Sequence, residues 1–159
     1  VDMSYEKLSS EYVLHPLMTA VSTLTVNNGS DTYTFDIGTK ETATTNDDGE
    51  ESTTTTTSVI YGDSEINSSY FSTFFQNLTL LKKSDTSSDK PSGKAVFTAE
   101  YKYTDGSTDT VKFYDAGGNK YLAEVNGISV GHLYKTNPSK LIEQVKTVAN
   151  NKEVSDFAI

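Results

Sequence analysis

The sequence predicts an α+β fold in which two repeated units, each an antiparallel β-meander followed by an amphipathic helix, pack their helices on the sheets around a shared core. Three observations predict this class. Alternating apolar residues flank glycine turns, a pattern typical of β-hairpins. Apolar residues recur at helical spacing after each group of strands. Similar segments also occur twice in the same order, at residues 25–38 and 102–117 and at residues 67–85 and 138–156.

At 159 residues the chain is long enough to bury one hydrophobic core. Two half-units that share this core fit the length better than two independent domains. We therefore expect a single domain over residues 1–159, made of two pseudo-repeats at about 20–85 and 94–156. A polar linker with Pro and Gly, at residues 82–93, is expected to join them.

The first unit begins with a predicted hairpin. Apolar and polar residues alternate on both sides of the Asn-Asn-Gly-Ser segment at residues 27–30. An Asn-Gly pair in this setting favours a tight turn because both residues tolerate positive φ. Upstream, apolar residues recur at helical spacing around Pro16, which predicts a short helix that begins at His15 or Pro16.

Residues 38–58 form a polar, Thr-rich stretch in which Ala43 is the only apolar residue. Such a segment has nothing to bury, and we therefore expect a mobile loop. The Thr run at residues 53–57 favours an extended backbone and is expected to lead into the next strand.

Each unit is predicted to end in a helix. Asn67 or Ser68 is expected to cap the first helix, and Asn137 the second, with Pro138 as its first residue. The inner stripe of the first helix is predicted to consist of Tyr70, Phe71, Phe74, Phe75 and Leu78. That of the second helix is predicted to consist of Leu141, Ile142, Val145, Val148 and Ala149.

The second unit contains four alternating segments separated by glycine turns at residues 104–107, 117–119 and 126–127. This spacing predicts a four-stranded antiparallel meander. Asp105 and Asp109 lie in or near the first of these turns. We interpret both as turn residues rather than as ligands.

Charge and composition exclude several classes of partner. The net charge is −9, and all thirteen basic residues are Lys. Because Arg is the usual residue for bidentate recognition of phosphates and bases, we expect no nucleic-acid partner. The chain contains no Cys, which excludes disulfides and thiol nucleophiles. Its apolar runs are shorter than the ~20 residues that span a bilayer, so we expect membrane contact only through an anchor outside this chain.

The candidate metal ligands do not form a metal-binding pattern. His15 and His132 are the only histidines, and neither lies in a His-x-x-His or His-Glu-x-x-His spacing. The acidic cluster at residues 47–51 lacks the alternating ligand spacing of a calcium loop, and we interpret it as a solvated loop tip. We therefore expect no metal and no other cofactor.

The sequence also lacks the motif of a catalytic site. Gly-x-Ser-x-Gly does not occur, and the Gly-Gly-Asn-Lys segment at residues 117–120 is not a phosphate-binding loop. We expect that the chain is not an enzyme and assign no catalytic residue. An arrangement of His132 with two carboxylates in a closed pocket would favour the opposite conclusion.

Tyrosines in the predicted strands are the side chains best suited to contact a ligand. Tyr101 and Tyr103 alternate along one strand and therefore share a face. If that face is exposed, their rings can stack on a sugar or accept a peptide strand. If it faces the helices, both rings belong to the core. The same alternatives hold for Tyr33, Tyr114, Tyr121 and Tyr134.

Four segments carry a resemblance to a known family: HPLMTAVSTLTV, VIYGDSEINSSYFSTFFQNLTLL, TAEYKYTDGSTDTVKFYDAGGNKYLAEVNG and LYKTNPSKLIEQV. They resemble the C-terminal part of the bacterial family called domain of unknown function 4340, over most of residues 12–150. The resemblance implies an extracytoplasmic domain of a protein with an N-terminal membrane anchor. It also implies an association with transport systems of the ATP-binding-cassette type, and it supplies no site residues.

We therefore expect a non-catalytic, extracytoplasmic interaction or accessory module of a membrane-anchored bacterial protein, with a protein partner in the cell envelope. The alternative is a carbohydrate- or peptide-binding module that uses the aromatic strand face of Tyr101 and Tyr103.

Overall fold

The computed structural model describes residue 13 and residues 18–79, 81–87, 89–91 and 93–156. Within these residues the chain forms a short 3-10 helix (Met18–Ala20), eight strands and two α-helices. In chain order these elements are β1 (Val21–Asn27), β2 (Thr32–Thr45), β3 (Glu51–Tyr61), β4 (Ser64–Ile66), α1 (Ser68–Thr79), β5 (Phe97–Tyr103), β6 (Thr108–Asp115), β7 (Lys120–Val125), β8 (Ile128–Tyr134) and α2 (Thr136–Ala149). The predicted α+β class is confirmed. The predicted helix start at His15 or Pro16 lies outside the described residues.

The strands form one antiparallel sheet in the order β4-β3-β2-β1-β5-β6-β7-β8. Strands β1 and β5 pair in the middle, where Val26 lies opposite Ala99. The strands of the two halves of the chain therefore belong to a single continuous sheet. One face of this sheet carries the core residues, and the other is largely polar apart from the buried Leu122, as is usual for an antiparallel sheet with one solvated face.

The predicted glycine turns close their hairpins. Asn126 and Gly127 have φ values of 53° and 84° between β7 and β8, which is the double positive φ that an Asn-Gly turn provides. Between β1 and β2, Gly29 has a φ of 94°. There the Asn28 Oδ1 accepts hydrogen bonds from the backbone N–H groups of Ser30 (3.1 Å) and Asp31 (2.9 Å).

The prediction of a mobile loop at residues 38–58 is wrong. Strands β2 and β3 pair without interruption from Phe35 opposite Tyr61 to Thr45 opposite Glu51. Thr favours an extended backbone, and hydrogen bonding within the ribbon does not require a buried side chain. We call residues 38–58 the arm, with its tip at residues 46–50. The Asn46 Oδ1 accepts the backbone N–H groups of two tip residues and so closes the turn.

Helix α1 begins as predicted. The Asn67 Oδ1 accepts the backbone N–H groups of Ser69 (2.9 Å) and Tyr70 (3.4 Å), which identifies Asn67 as the cap. The residues of the inner stripe that are fully buried are Phe71, Phe74, Phe75 and Leu78, and Tyr70 is half-buried.

The predicted cap of the second helix is wrong. Helix α2 begins at Thr136, so Asn137 is already helical, and the residue at the cap position is Lys135 with no capping side-chain hydrogen bond. Pro138 is tolerated as the third helical residue because the first four N–H groups of a helix have no partner within it. The predicted inner stripe is confirmed: Leu141, Val145 and Val148 are buried, and Ile142 and Ala149 are half-buried.

Both helices contribute to one core. The ring of Phe35 in β2 lies 5.1 Å from that of Phe71 and 6.4 Å from that of Phe74. The two helices also contact each other through a buried polar pair, in which the Asn77 Nδ2 donates to the Gln144 Oε1 at 3.0 Å. Because buried amides are costly without partners, this pair fixes how the helices face each other.

The segment between α1 and β5 covers part of the outer edge of β8. The Ser84 N–H donates to the His132 carbonyl at 2.7 Å, and Asp85 forms an isolated antiparallel bridge with the same residue. Gly131 permits this approach, since a Cβ there would collide with the Asp85 carbonyl oxygen and touch the Lys83 side chain. The predicted polar linker at 82–93 thus includes residues that pair with the sheet.

Candidate functional site

The two tyrosines predicted to contact a ligand have different environments. Tyr101 is 1% exposed and packs edge-on against Phe75, with ring centroids 6.0 Å apart. Burial, with the nearby Tyr103 and Asp109, raises its pKa well above the usual value. Tyr103 is half-buried, and its hydroxyl donates to the Asp109 Oδ2 at 2.7 Å. Tyr101 therefore belongs to the core, and the pair does not form an exposed aromatic face.

The other strand tyrosines named in the prediction are spread over both faces of the sheet. Tyr33 and Tyr121 are buried, while Tyr114 is half-buried and its hydroxyl lies 3.5 Å from the Glu124 Oε1. Burial and the Glu124 carboxylate raise the pKa of Tyr114. Tyr134 is 55% exposed, with the Lys120 ammonium 5.4 Å from its ring centre. These residues do not line up as a sugar-stacking row.

His132 lies between two carboxylates on the outer face of the sheet. Its Nδ1 is 2.9 Å from the Asp85 Oδ1, and its Nε2 is 3.7 Å from the Asp89 Oδ2. The backbone N–H of His132 also donates to the Asp85 Oδ1, at 3.1 Å. Lys120 adds a cation 3.6 Å from the other Asp85 oxygen. We call Asp85, Asp89, Lys120 and His132 the clasp, because they connect the 82–93 segment to β7 and β8.

The geometry of the clasp differs from that of a Ser-His-Asp catalytic triad. A triad needs a nucleophile at the imidazole nitrogen that is not held by the carboxylate, and here that nitrogen faces the carboxylate of Asp89. The nearby hydroxyls of Ser84 and Ser129 donate to backbone carbonyls of the same contact, His132 and Asp89 respectively. The hydrogen bond from the His132 side chain is the largest of the interactions that lower the pKa of Asp85.

A shallow depression of about 550 Å³ lies beside the clasp. Its lining is mostly polar and includes Asp89, Lys90, Tyr114 and Asp115. The Asp115 carboxylate is already engaged, since the Lys135 Nζ lies 2.9 Å from it and lowers its pKa. The mixed charges and the open shape do not match a closed catalytic pocket.

The arm is the most exposed feature of the described chain. Every residue from 38 to 57 is exposed, on both faces of the ribbon. The pairs from Gly38 opposite Ser58 to Thr45 opposite Glu51 extend beyond the strands that flank β2 and β3, a length of about 25 Å at ~3.4 Å per residue. The arm contacts the rest of the described residues at its base, where Lys40 pairs with Glu65 at 3.5 Å.

The acidic residues predicted at a loop tip lie at the tip and the adjoining end of the arm. Among the described residues, no group of three or more His, Asp or Glu side chains is arranged to hold a metal ion. His15 lies outside the described residues. Neither described helix has the length and hydrophobicity that crossing a bilayer requires.

Sequence reasoning missed the arm and the clasp. The signal for the arm was present, because Thr-rich segments lie on both sides of an Asn-Asp-Asp-Gly turn at residues 46–49. No local sequence pattern predicts the clasp, because His132 and Asp85 are 47 positions apart in the chain.

Comparisons of the chain with protein-family models, with curated proteins and with solved structures find no match. The resemblance to the C-terminal part of the domain of unknown function 4340 stays a prediction.

Proposed function

We propose that this chain is a non-catalytic protein-interaction module of a membrane-anchored bacterial protein, and that the arm contacts the partner. The arm itself carries the proposal. Residues 38–57 are all exposed, so the arm adds nothing to the core. Ordering two strands costs conformational entropy, and a solvated two-stranded ribbon is marginally stable. A partner that pairs with the arm would offset this cost.

The environment of His132 supports a non-catalytic role. Both of its ring nitrogens face carboxylates of the 82–93 segment, Asp85 and Asp89, and these contacts hold that segment on the sheet. The nearest serine hydroxyls are engaged in the same contact. The engagement of these groups in holding the segment supports the proposed non-catalytic role.

The location and the partner class rest on the sequence. Abundant Ser and Thr suit a solvated β surface and are common in secreted proteins. The family resemblance adds an extracytoplasmic location and a cell-envelope partner, with a transport system as the first candidate. Protease added to intact cells should cleave the chain if this location is correct, and complete protection would contradict it.

We also interpret the two halves as repeated units. The support is the similarity of their sequences together with the strand order, in which β1 to β4 and β5 to β8 run outward from a central β1–β5 pair. Each set of four strands is followed by one helix. A single domain of two pseudo-repeats accounts for both observations.

The proposal is tested by capture of partners from the native membrane with three proteins. These are the full-length protein, a variant in which residues 43–53 are replaced by a short Gly-Ser turn, and a variant that keeps the arm but carries Asn or Gln at the acidic positions of residues 47–51. We expect the shortened arm to change the unfolding free energy by less than ~1 kcal/mol, since loop length contributes weakly.

An envelope protein recovered with the full-length protein and lost with the shortened arm would support the proposal. Loss of capture with the charge variant would mean that the partner is attracted to the acidic tip. Capture that persists with this variant would mean that the partner pairs with the strands of the arm. Equal recovery with the shortened arm, or recovery of no envelope component, would contradict the proposed role of the arm.

A further inference from the structure

The described sheet protects most of its edges but not the arm. Strand β4 at one end is only three residues long. Strand β8 at the other end is partly covered by the 82–93 segment, whose Ser84 N–H donates to the His132 carbonyl. Short edge strands and covering segments are the usual ways in which proteins prevent sheets from adding strands. The arm has neither of these protections along β3.

The direction of the free hydrogen-bonding groups follows from the hairpin. The Asn46 N–H donates to the Glu50 carbonyl at 2.9 Å, so bonded and non-bonded pairs alternate from there along the β2–β3 register. The even-numbered residues of β3 therefore bond to β2. The odd-numbered ones, Thr53, Thr55 and Thr57, direct their N–H and C=O groups to the outer edge. The same alternation lets Val59 and Tyr61 pair with β4.

The free edge of β3 also lacks the charges that usually block pairing. Residues 52–58 contain only Ser and Thr, with no Pro and no ionisable group. The outer edge of β2 differs, because Glu41, whose N–H and C=O are directed to that edge, occurs within its exposed part. Thr is a β-branched residue that favours strand pairing, and cross-strand Thr pairs are favourable. Of the two edges of the arm, that of β3 is the better template for an added strand.

The sequence of this edge indicates what is added. Residues 52–58 read Ser-Thr-Thr-Thr-Thr-Thr-Ser, which is a palindrome centred on Thr55. We propose that two copies of this chain pair along their β3 edges, antiparallel, about a twofold axis at Thr55. Within residues 52–58 each Thr then faces a Thr and each Ser a Ser, and Thr53 of each copy faces Thr57 of the other. A twofold contact of this type is self-complementary and closed.

The register is limited by β4, which occupies the same edge of β3 from Val59 onward. The acidic tip of each arm therefore approaches β4 of the other copy, where Glu65 lies. Each copy also has a net charge of −9. Like charges oppose the association, and salt screens them. Added salt should thus strengthen the dimer, whereas a contact made by opposite charges would weaken.

This inference rests on the proposed role of the arm as a contact element and adds a second copy of the chain to the partners that the arm contacts. The test is sedimentation equilibrium of the chain over a concentration series at low and moderate salt, with Thr55→Pro and Ala43→Pro as a matched pair. Pro removes an outward N–H in both variants, but from β3 in one and from β2 in the other.

The wild type and Ala43→Pro should dimerise alike. Thr55→Pro should weaken dimerisation about tenfold to a hundredfold, since it removes one hydrogen bond from each copy at the centre of the contact. Hydrogen exchange gives a second readout: the amides of Thr53, Thr55 and Thr57 should become protected as concentration rises. Those of Thr54 and Thr56, which donate to β2, should not change.

A monomer at all concentrations would overturn the inference, as would a dimer that survives Thr55→Pro or one that Ala43→Pro weakens equally. A monomeric chain that still captures an envelope protein through its arm would leave the proposed function standing. If the chain dimerises but the variant with the shortened arm still captures an envelope protein, the inference is supported and the proposed role of the arm in the envelope contact is contradicted.

Discussion

Phe74 tests whether the centre of the core is placed correctly. Its side chain is fully buried in α1, with its ring centre 6.4 Å from that of Phe35 and 6.3 Å from that of Phe71. We predict that Phe74→Ala lowers the unfolding free energy by ~3 to 5 kcal/mol, because the surrounding strands cannot close the cavity. Urea denaturation followed by far-UV circular dichroism measures this loss.

Val145 in α2 is the matched control for Phe74, since it too is fully buried. Val145→Ala should cost less, because it removes fewer carbon atoms from the core. A Phe74→Ala midpoint close to that of the wild type would show that the ring is not enclosed in this way.

Substitution of Gly131 tests whether the 82–93 segment lies close to β8. A Cβ there would collide with the Asp85 carbonyl oxygen, whereas a Cβ at Gly38 in the arm would have no atom within 4 Å. We predict that Gly131→Ala destabilises the protein by ~1 to 3 kcal/mol, and that Gly38→Ala is close to neutral. Chemical denaturation of both variants measures the difference. Equal stabilities would mean that the segment does not lie on β8.

The contacts of Asp85 in the clasp predict that the attachment of the 82–93 segment to the sheet depends on pH. The hydrogen bond from the His132 side chain, with further contributions from the His132 N–H and the Lys120 charge, lowers the pKa of Asp85 below its ordinary value of 3.8. A carboxyl whose folded pKa is lowered stabilises the folded state above its unfolded pKa, and that stabilisation is lost as pH falls through the folded pKa. The segment should therefore loosen below about pH 3.8.

Hydrogen exchange of the Ser84 amide, which donates to the His132 carbonyl, reports on the clasp. Its protection should fall at acidic pH in the wild type, relative to the amide of Val26 in the central β1. In Asp85→Asn it should be low throughout. Protection that is independent of pH in the wild type, or that persists in Asp85→Asn, would show that Asp85 does not hold the segment.

Sequence patterns predicted elements whose signal is local. The Asn126–Gly127 turn and the apolar stripe of α1 are each set by residues a few positions apart, and both are confirmed. The arm was missed because burial served as the criterion for order, while its strands are held by backbone hydrogen bonds between exposed Thr residues. The cap of α2 was misplaced because Pro is tolerated throughout the first turn.

At the scale of the whole molecule, the folded arrangement depends on contacts that no sequence pattern contains. The pairing of β1 with β5 joins residues such as Val26 and Ala99, and the pair Asn77–Gln144 joins the two helices. These residues are far apart in the chain, and closing such contacts depends on the full topology. From the sequence alone, Asn77 in the last turn of α1 is an unfavourable helix residue, and its burial is explained by its hydrogen bond to Gln144.

The helix contact predicts that the two halves of the chain unfold as one unit. Asn77 is 1% exposed, and its Nδ2 donates to both the Gln144 side chain and the Ser155 carbonyl. Asn77→Ala should lower stability by ~1 to 3 kcal/mol because Gln144 is left in the core without that donor. Exposed Gln76, the preceding residue of α1, is the control, and Gln76→Ala should change stability by less than ~0.5 kcal/mol.

The strands that lose stability in Asn77→Ala show whether the two halves of the chain unfold together. Native-state hydrogen exchange resolves the stability of individual strands, so the amides of β1 in the first half and β7 in the second can be compared in the same sample. If one core joins the halves, Asn77→Ala lowers the protection of both strands by the same free energy. A loss confined to β1, with β7 unchanged, would mean that each half unfolds alone and that the shared sheet does not make them cooperative.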